Sequence, residues 1–193
     1  MRFVGVLLGL ALCFYPFCVY FGLQQFGPRA LAFVLFTLFL VRYLTFKDKT
    51  GFLQVNLLPA ASVAGAAFCA LAAVTDRADF LKFYPALSNV FLFVLFAVSL
   101  RRPPSLIERA ARLRHPDLSP RGVKHTRQAT ALWSLFFVFN GCVALVTALY
   151  ADLKLWTLYN GFLSYLLMGV LFAVEFVVRK ARMARDADEA ASL

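Results

Sequence analysis

Apolar residues run along this chain in long blocks separated by short polar interruptions, and the blocks fall at about 3–23, 30–46, 53–74, 83–100, 129–150 and 156–178. Crossing a hydrocarbon core of about 30 Å takes roughly 20 helical residues. The pattern therefore predicts an all-α, polytopic membrane helix bundle of about six transmembrane helices, forming a single membrane domain over 1–193. The first block, Phe3 to Leu23, follows Arg2 as a secretory signal would, but it is too long for one. Leu12 before Cys13 does not suit a lipoprotein cleavage site, and small residues at a cleavage-like position, Ala30 and Ala32, occur only in the next block. It is read as a span, kinked at Pro16, with Gly5-x-x-x-Gly9 offering a close helix contact. Gln24 to Arg29, holding Gly27 and Pro28, predicts a direct reversal into the second span. The third is rich in Ala, Ser and Gly, with smooth faces at Ala61-x-x-x-Gly65 and Ser62-x-x-x-Ala66, and is expected at the centre of the bundle.

One polar interruption is long: residues 101–128, RRPPSLIERAARLRHPDLSPRGVKHTRQ. Ser105 and Glu108 have capping-box spacing, which predicts a helix over 105–114. On a helical wheel Leu106, Ile107, Ala110, Ala111 and Leu113 fall on one side, with Glu108, Arg109 and Arg112 opposite, as in a short interfacial amphipathic helix. His115-Pro116 ends it, and Ser119-Pro120-Arg121-Gly122 predicts a turn. The turn 115–122 is more than topology requires. The whole loop reads as a hinge between a four-span and a two-span half.

Composition agrees with the pattern: 62% of the residues are hydrophobic, 22 are Phe, and mean hydropathy is +0.75, more apolar surface than a soluble domain of 193 residues buries. The net charge of +10 would suggest nucleic acid in a soluble protein, but it acquires meaning only when divided across the membrane. With the N-terminus in the cytoplasm, that side collects sixteen of the twenty Lys and Arg: Arg2, then Arg42, Lys47 and Lys49, eight in the loop, and four from Arg179 to Arg185. Arg29, Arg77, Lys82 and Lys154 make four on the other. This asymmetry predicts both termini, the loop 101–128 and the tail 179–193 on the cytoplasmic side, and no nucleic-acid partner. The loop cations Arg101, Arg102, Arg109, Arg112, Arg114, Arg121, Lys124 and Arg127 then form a docking surface for anionic lipid headgroups or for a cytoplasmic or membrane protein partner, unless they serve topology alone. A bundle this small also suits a homodimer. The four Cys, without metal-ligand spacing, read as small buried hydrophobes.

Few residues within the spans carry chemistry. Glu175, one turn from the end of the last span, is the one intramembrane acid, and it has two candidate partners: Arg179 on its own helix, or Arg42 as an inter-helix ion pair. Asn56, Asn89, Asn140 and Asn160, with Ser134, Ser164 and Tyr165, either bond across helices or, for Asn140, Asn160, Ser164 and Tyr165, line a small cavity. His115 and His125 could act as acid and base, but no carboxylate stands at a spacing that implies a shared site. HExxH, GxSxG, P-loop and dinucleotide-turn motifs are all missing, and the chain reads as non-enzymatic, with no cofactor and no metal.

Taken in order, Phe14-Tyr15, Asp79-Phe80-Leu81-Lys82, Arg102-Pro103-Pro104-x-Leu106-Ile107-x-Arg109 and Trp133-x-x-Phe136-Phe137 with Gly141 resemble the intracellular septation protein A (YciB-like) family over nearly the whole chain. That resemblance implies a bacterial inner-membrane protein linked to envelope integrity, without assigned chemistry. The longer insert 115–122 and the run Trp156-x-x-Tyr159-Asn160-Gly161-x-x-Ser164-Tyr165 are closer to a sister group of membrane proteins encoded with aryl-polyene or fatty-acid-like biosynthesis genes, which implies lipid-like products. Two functions follow as expectations: support of envelope or lipid-conjugate assembly through the basic loop, or transport of a lipidic product as a small flippase-like subunit.

Overall fold

Helix follows wherever the chain must satisfy its own backbone in an apolar setting. The computed structural model describes residues 14–46 and 57–191, and these are helical with short connections and no strand. Gly5, Gly9, Cys13, Lys47, Lys49 and Asn56 lie outside them. In chain order the elements are α1 (Tyr15–Phe46), α2 (Leu57–Thr75), α3 (Asp79–Lys82), α4 (Tyr84–Arg101), α5 (Leu106–Arg112), α6 (Pro120–Tyr150), α7 (Leu153–Leu158), a π-turn (Tyr159–Leu163) and α8 (Ser164–Ala191). Among the described residues, four stretches are long and apolar enough to cross a membrane: Gly27–Leu44, Asp79–Arg101, Pro120–Tyr150 and Leu153–Arg182; Ser62–Thr75 is a shorter apolar helix.

The stretch α1 is two helical limbs that form a hairpin. Gly27 adopts φ 75°, ψ 170°, open to glycine and strained for other residues, and Pro28 starts the second limb. Tyr15 and Phe39 would lie about 36 Å apart along one straight helix. Their ring centroids are instead 6.4 Å apart, so the chain reverses as Gly27-Pro28 predicts. Packed on the second limb, α2 presents Gly65 to the Phe39 ring so closely that a Cβ would come within 2.7 Å. Ser62, Cys69 and Ala72 are buried beside it. The smooth face forms as expected, but Val63, Leu71 and Val74 are exposed, so α2 is one member of a pair and not the centre of the bundle. Cys18 and Cys142 are also exposed, unlike Cys69.

The second pair is α4 with α6, whose close approach runs through Gly141, where a Cβ would stand 3.1 Å from that of Asn89. This corrects the expected division at 101–128: the loop joins two helices that pack tightly together, so no boundary between halves falls there. The two pairs meet at the end of the molecule away from that loop. Tyr15, Val19, Leu35, Phe39, Leu81, Ala148 and Trp156 form one buried cluster there. Tyr15 Oη donates to the Leu81 carbonyl at 2.9 Å, and Trp156 Nε1 donates to the Lys82 carbonyl at 3.0 Å.

At the loop end α5 folds onto α6. The Leu106 N–H donates to Ser99 Oγ at 3.1 Å and the Ile107 N–H to Thr130 Oγ1 at 3.4 Å. Residues 115–122 are explained in part by α6, which starts at Pro120, well before the expected 129. Ser119 Oγ accepts from the Gly122 N–H at 3.2 Å as its N-cap, and Pro120 stands at the first helical position. With 31 residues, α6 is about 46 Å long. That is longer than a hydrocarbon core of about 30 Å.

Gly65→Val tests the α1–α2 contact. The added side chain overpacks against Phe39, and the loss of stability should be about 1–3 kcal/mol, read as a lower thermal midpoint in detergent. Phe39→Leu on the same chain should recover part of it; a Gly65→Val protein as stable as the parent counts against the packing.

Candidate functional site

Polar side chains gather in two places, one along the α4–α6–π-turn contact and one at the loop end of α6. In the first, Tyr159 Oη donates to Asn140 Oδ1 at 2.8 Å, Asn140 Nδ2 to Asn89 Oδ1 at 2.9 Å, and Asn89 Nδ2 to the Pro85 carbonyl at 2.8 Å. This relay links three segments distant in sequence, and Asn89 and Asn140 are buried. The Asn140–Asn89 bond is the across-helix use of Asn expected from sequence.

The π-turn explains the other polar residues. A five-residue helical register displaces backbone partners, and here side chains replace them. Asn160 Nδ2 donates to the Trp156 carbonyl at 2.9 Å and to Thr147 Oγ1 at 3.1 Å, and Ser164 Oγ donates to the Asn160 carbonyl at 3.1 Å. Gly161 lies against Phe17 of the first limb, where a Cβ would come within 2.9 Å of the ring. Asn140, Asn160 and Ser164, expected to line a cavity with Tyr165 of α8, thus already have partners within the protein.

The eight loop cations differ in exposure. Arg109 and Arg112 are occupied. Arg109 Nε donates to the Pro104 carbonyl at 2.8 Å and Nη2 to the Arg102 carbonyl at 3.3 Å. Arg112 grips Glu108, with Nη2 at 2.8 Å and Nε at 3.0 Å from Oε1, and donates through Nη1 to the Pro116 carbonyl at 3.1 Å. Glu108 Oε2 also accepts from the Ser105 N–H at 3.3 Å, as the capping box predicts. The helical wheel needs correction. Glu108 is buried, whereas Ala110 and Leu113 are exposed, because Arg112 and the Ser105 N–H neutralise the carboxylate well enough for it to face inward. Arg101, Arg102, Arg114, Arg121, Lys124 and Arg127 are exposed.

The same end of α6 corrects the reading of Glu175 and of the histidines. Glu175 forms a pair within 4 Å with neither Arg42 nor Arg179. Its Oε1 lies 3.5 Å from His125 Nε2 on α6, with both side chains largely buried. Arg179 instead lies over the Phe176 ring, 5.3 Å from its centroid. On the far side of the imidazole, Arg182 Nη1 meets His125 Nδ1 at 3.1 Å and Gln128 Oε1 at 2.9 Å. A carboxylate therefore does share a site with a histidine, fifty positions away in sequence. Spacing along one chain could not reveal it. The available signal was that His125 and Glu175 lie toward the same ends of two antiparallel spans.

Asn140→Leu should cost about 1–2 kcal/mol in unfolding by detergent or heat, because it strands both the Tyr159 hydroxyl and the Asn89 carbonyl. Adding Tyr159→Phe should then cost less than it does alone. Additive losses in the double-mutant cycle would exclude the relay as a coupled unit. Comparison of the chain with protein-family models, curated proteins and solved structures finds no match.

Proposed function

We propose that this chain is a non-enzymatic, multi-pass protein of a bacterial inner membrane that supports cell-envelope or lipid-conjugate assembly, docking anionic lipid headgroups on the surface formed by residues 101–128. In this reading it has six spans, the described four long apolar helices being joined by the N-terminal block and α2, with both termini cytoplasmic. One observation carries the reading: polar groups at membrane depth are bonded to one another, while Arg101, Arg102, Arg114, Lys124 and Arg127 are turned outward at the loop end. Each such cation beside an anionic surface contributes about 1 kcal/mol. Exposed Leu113, next to Arg114, suits a helix lying at headgroup level. A protein partner or a second copy would use the same outward face.

The π-turn supports the second reading, transport of a lipidic product, because such turns recur where a helix is bent for function. Asn140, Asn160 and Ser164 would have to exchange their present partners for a ligand.

Native mass spectrometry of the purified protein separates the two. Neutralising Arg101, Arg102 and Arg114 together to Gln should lower bound anionic phospholipid about twofold or more, with Asn160→Leu leaving it unchanged. Unchanged lipid in the triple variant removes the docking reading. Loss of a bound lipidic species in Asn160→Leu alone establishes the transport reading in its place.

A further inference from the structure

Among the described residues, the part of α8 beyond Ser164 makes few contacts with the rest of the bundle. Beyond Ser164 it turns Met168, Leu171 and Glu175 partly inward at spacings of three and four, and its other residues as far as Arg182 are exposed. The described polar contacts between this part of α8 and α6 converge on His125: Glu175 at one ring nitrogen and Arg182 at the other, with Gln128 sharing the Arg182 Nη1.

The chemistry of these partners fixes the state of the ring. A guanidinium donates and cannot accept, so His125 Nδ1 must be the acceptor, and the imidazole proton sits on Nε2, facing Glu175. That Nε2 is buried and lacks a full hydrogen bond, because the carboxylate stands 3.5 Å away. Adding one proton changes both sides at once. Nδ1 becomes a donor aimed at the Arg182 donor, with two positive charges about 3 Å apart, while the Nε2–H becomes a charged donor to a negative carboxylate. Among the described residues, no other charged side chain is paired with His125. On α5, Glu108 is committed to Arg112, and Arg101 at the end of α4 and Arg121, Lys124 and Arg127 on α6 are exposed cations.

We propose that Glu175, His125 and Arg182 form a proton-operated latch on the C-terminal helix. Neutral His125 holds Arg182 and so pins the extension of α8 to α6. Protonated His125 expels Arg182, retains Glu175 as an ion pair, and frees the extension beyond Arg179 while the membrane-depth part of α8 stays in place. Histidine is the side chain chemically suited to such a switch, because its ring can carry one proton or two.

A nitroxide on Ala181→Cys, in a chain whose native Cys are replaced by Ala, reads the latch in detergent or nanodiscs. The spectrum should be restrained at about pH 8 and gain a mobile fraction by about pH 5.5, reversibly. His125→Gln should remove the pH response, and Arg182→Gln should be mobile at both values. A spectrum that does not change with pH, or a response that persists in His125→Gln, overturns the proposal. Independently, ring ¹⁵N shifts of the unaltered protein at high pH should show His125 protonated at Nε2, with exposed His115 as the reference; an Nδ1–H tautomer at His125 overturns it without any substitution.

Discussion

Everything in this fold depends on finding donors for backbone carbonyls where the helices break inside an apolar environment. The clearest case is Leu81. Its helical partner four residues on would be the amide of Pro85, which has no hydrogen to give. The Tyr15 hydroxyl supplies it at 2.9 Å, from a side chain only 2% exposed. The adjacent Lys82 carbonyl takes the indole N–H of fully buried Trp156. A break that would be costly in lipid thereby becomes the anchor joining α1, the α3–α4 corner and α7. Because each donor comes from a different part of the chain, the fold is tied together where one helix is weakest.

The same exchange recurs at the π-turn. Asn160 and Ser164 return hydrogen bonds that the widened register displaces, and Thr147 on α6 is drawn in through Asn160. The widened turn sets Gly161 under Phe17, and the Tyr159 hydroxyl reaches Asn140. Polar residues at membrane depth are therefore placed by backbone need as much as by side-chain partnership, which is why Asn160 bonds mostly within its own helix while Asn140 bonds across to Asn89.

Local features of this kind were legible in the sequence. The Gly27-Pro28 reversal, the Ser105–Glu108 capping box and the apolar helices at 30–46, 83–100, 129–150 and 156–178 follow from periods, caps and breakers that act within a few residues. The partners of Tyr15 and Trp156 were not, since nothing in a run of Phe and Leu marks which aromatic meets a carbonyl 66 or 74 residues away. The α5 wheel misled for a related reason. It assigned Glu108 to solvent by its charge, although Arg112 four residues later could neutralise it and let it turn inward. His125 and Glu175 escaped notice because each looked complete by itself, one as part of a basic loop and the other as an acid beside Arg179.

The two ends of the bundle are consequently built from different materials. At the end away from the loop, aromatic rings and neutral hydrogen bonds form the buried joint between the helices, with ion pairs of Arg29 with Asp76 and of Arg77 and Lys82 with Asp79 at its rim. At the loop end, the exposed cations on α4, α5 and α6 repel one another, and the buried acids Glu108 and Glu175 are the counterweights. Glu108 is met on its own helix by Arg112, whose guanidinium keeps its charge at any accessible pH, while α5 is docked on α6 through the Ile107 N–H to Thr130 Oγ1 bond. Glu175 faces an imidazole, which does not keep a fixed charge. The acid that faces α6 from α8 is thus met by a base that can gain or lose a charge, whereas the acid of α5 is met on its own helix by one that cannot.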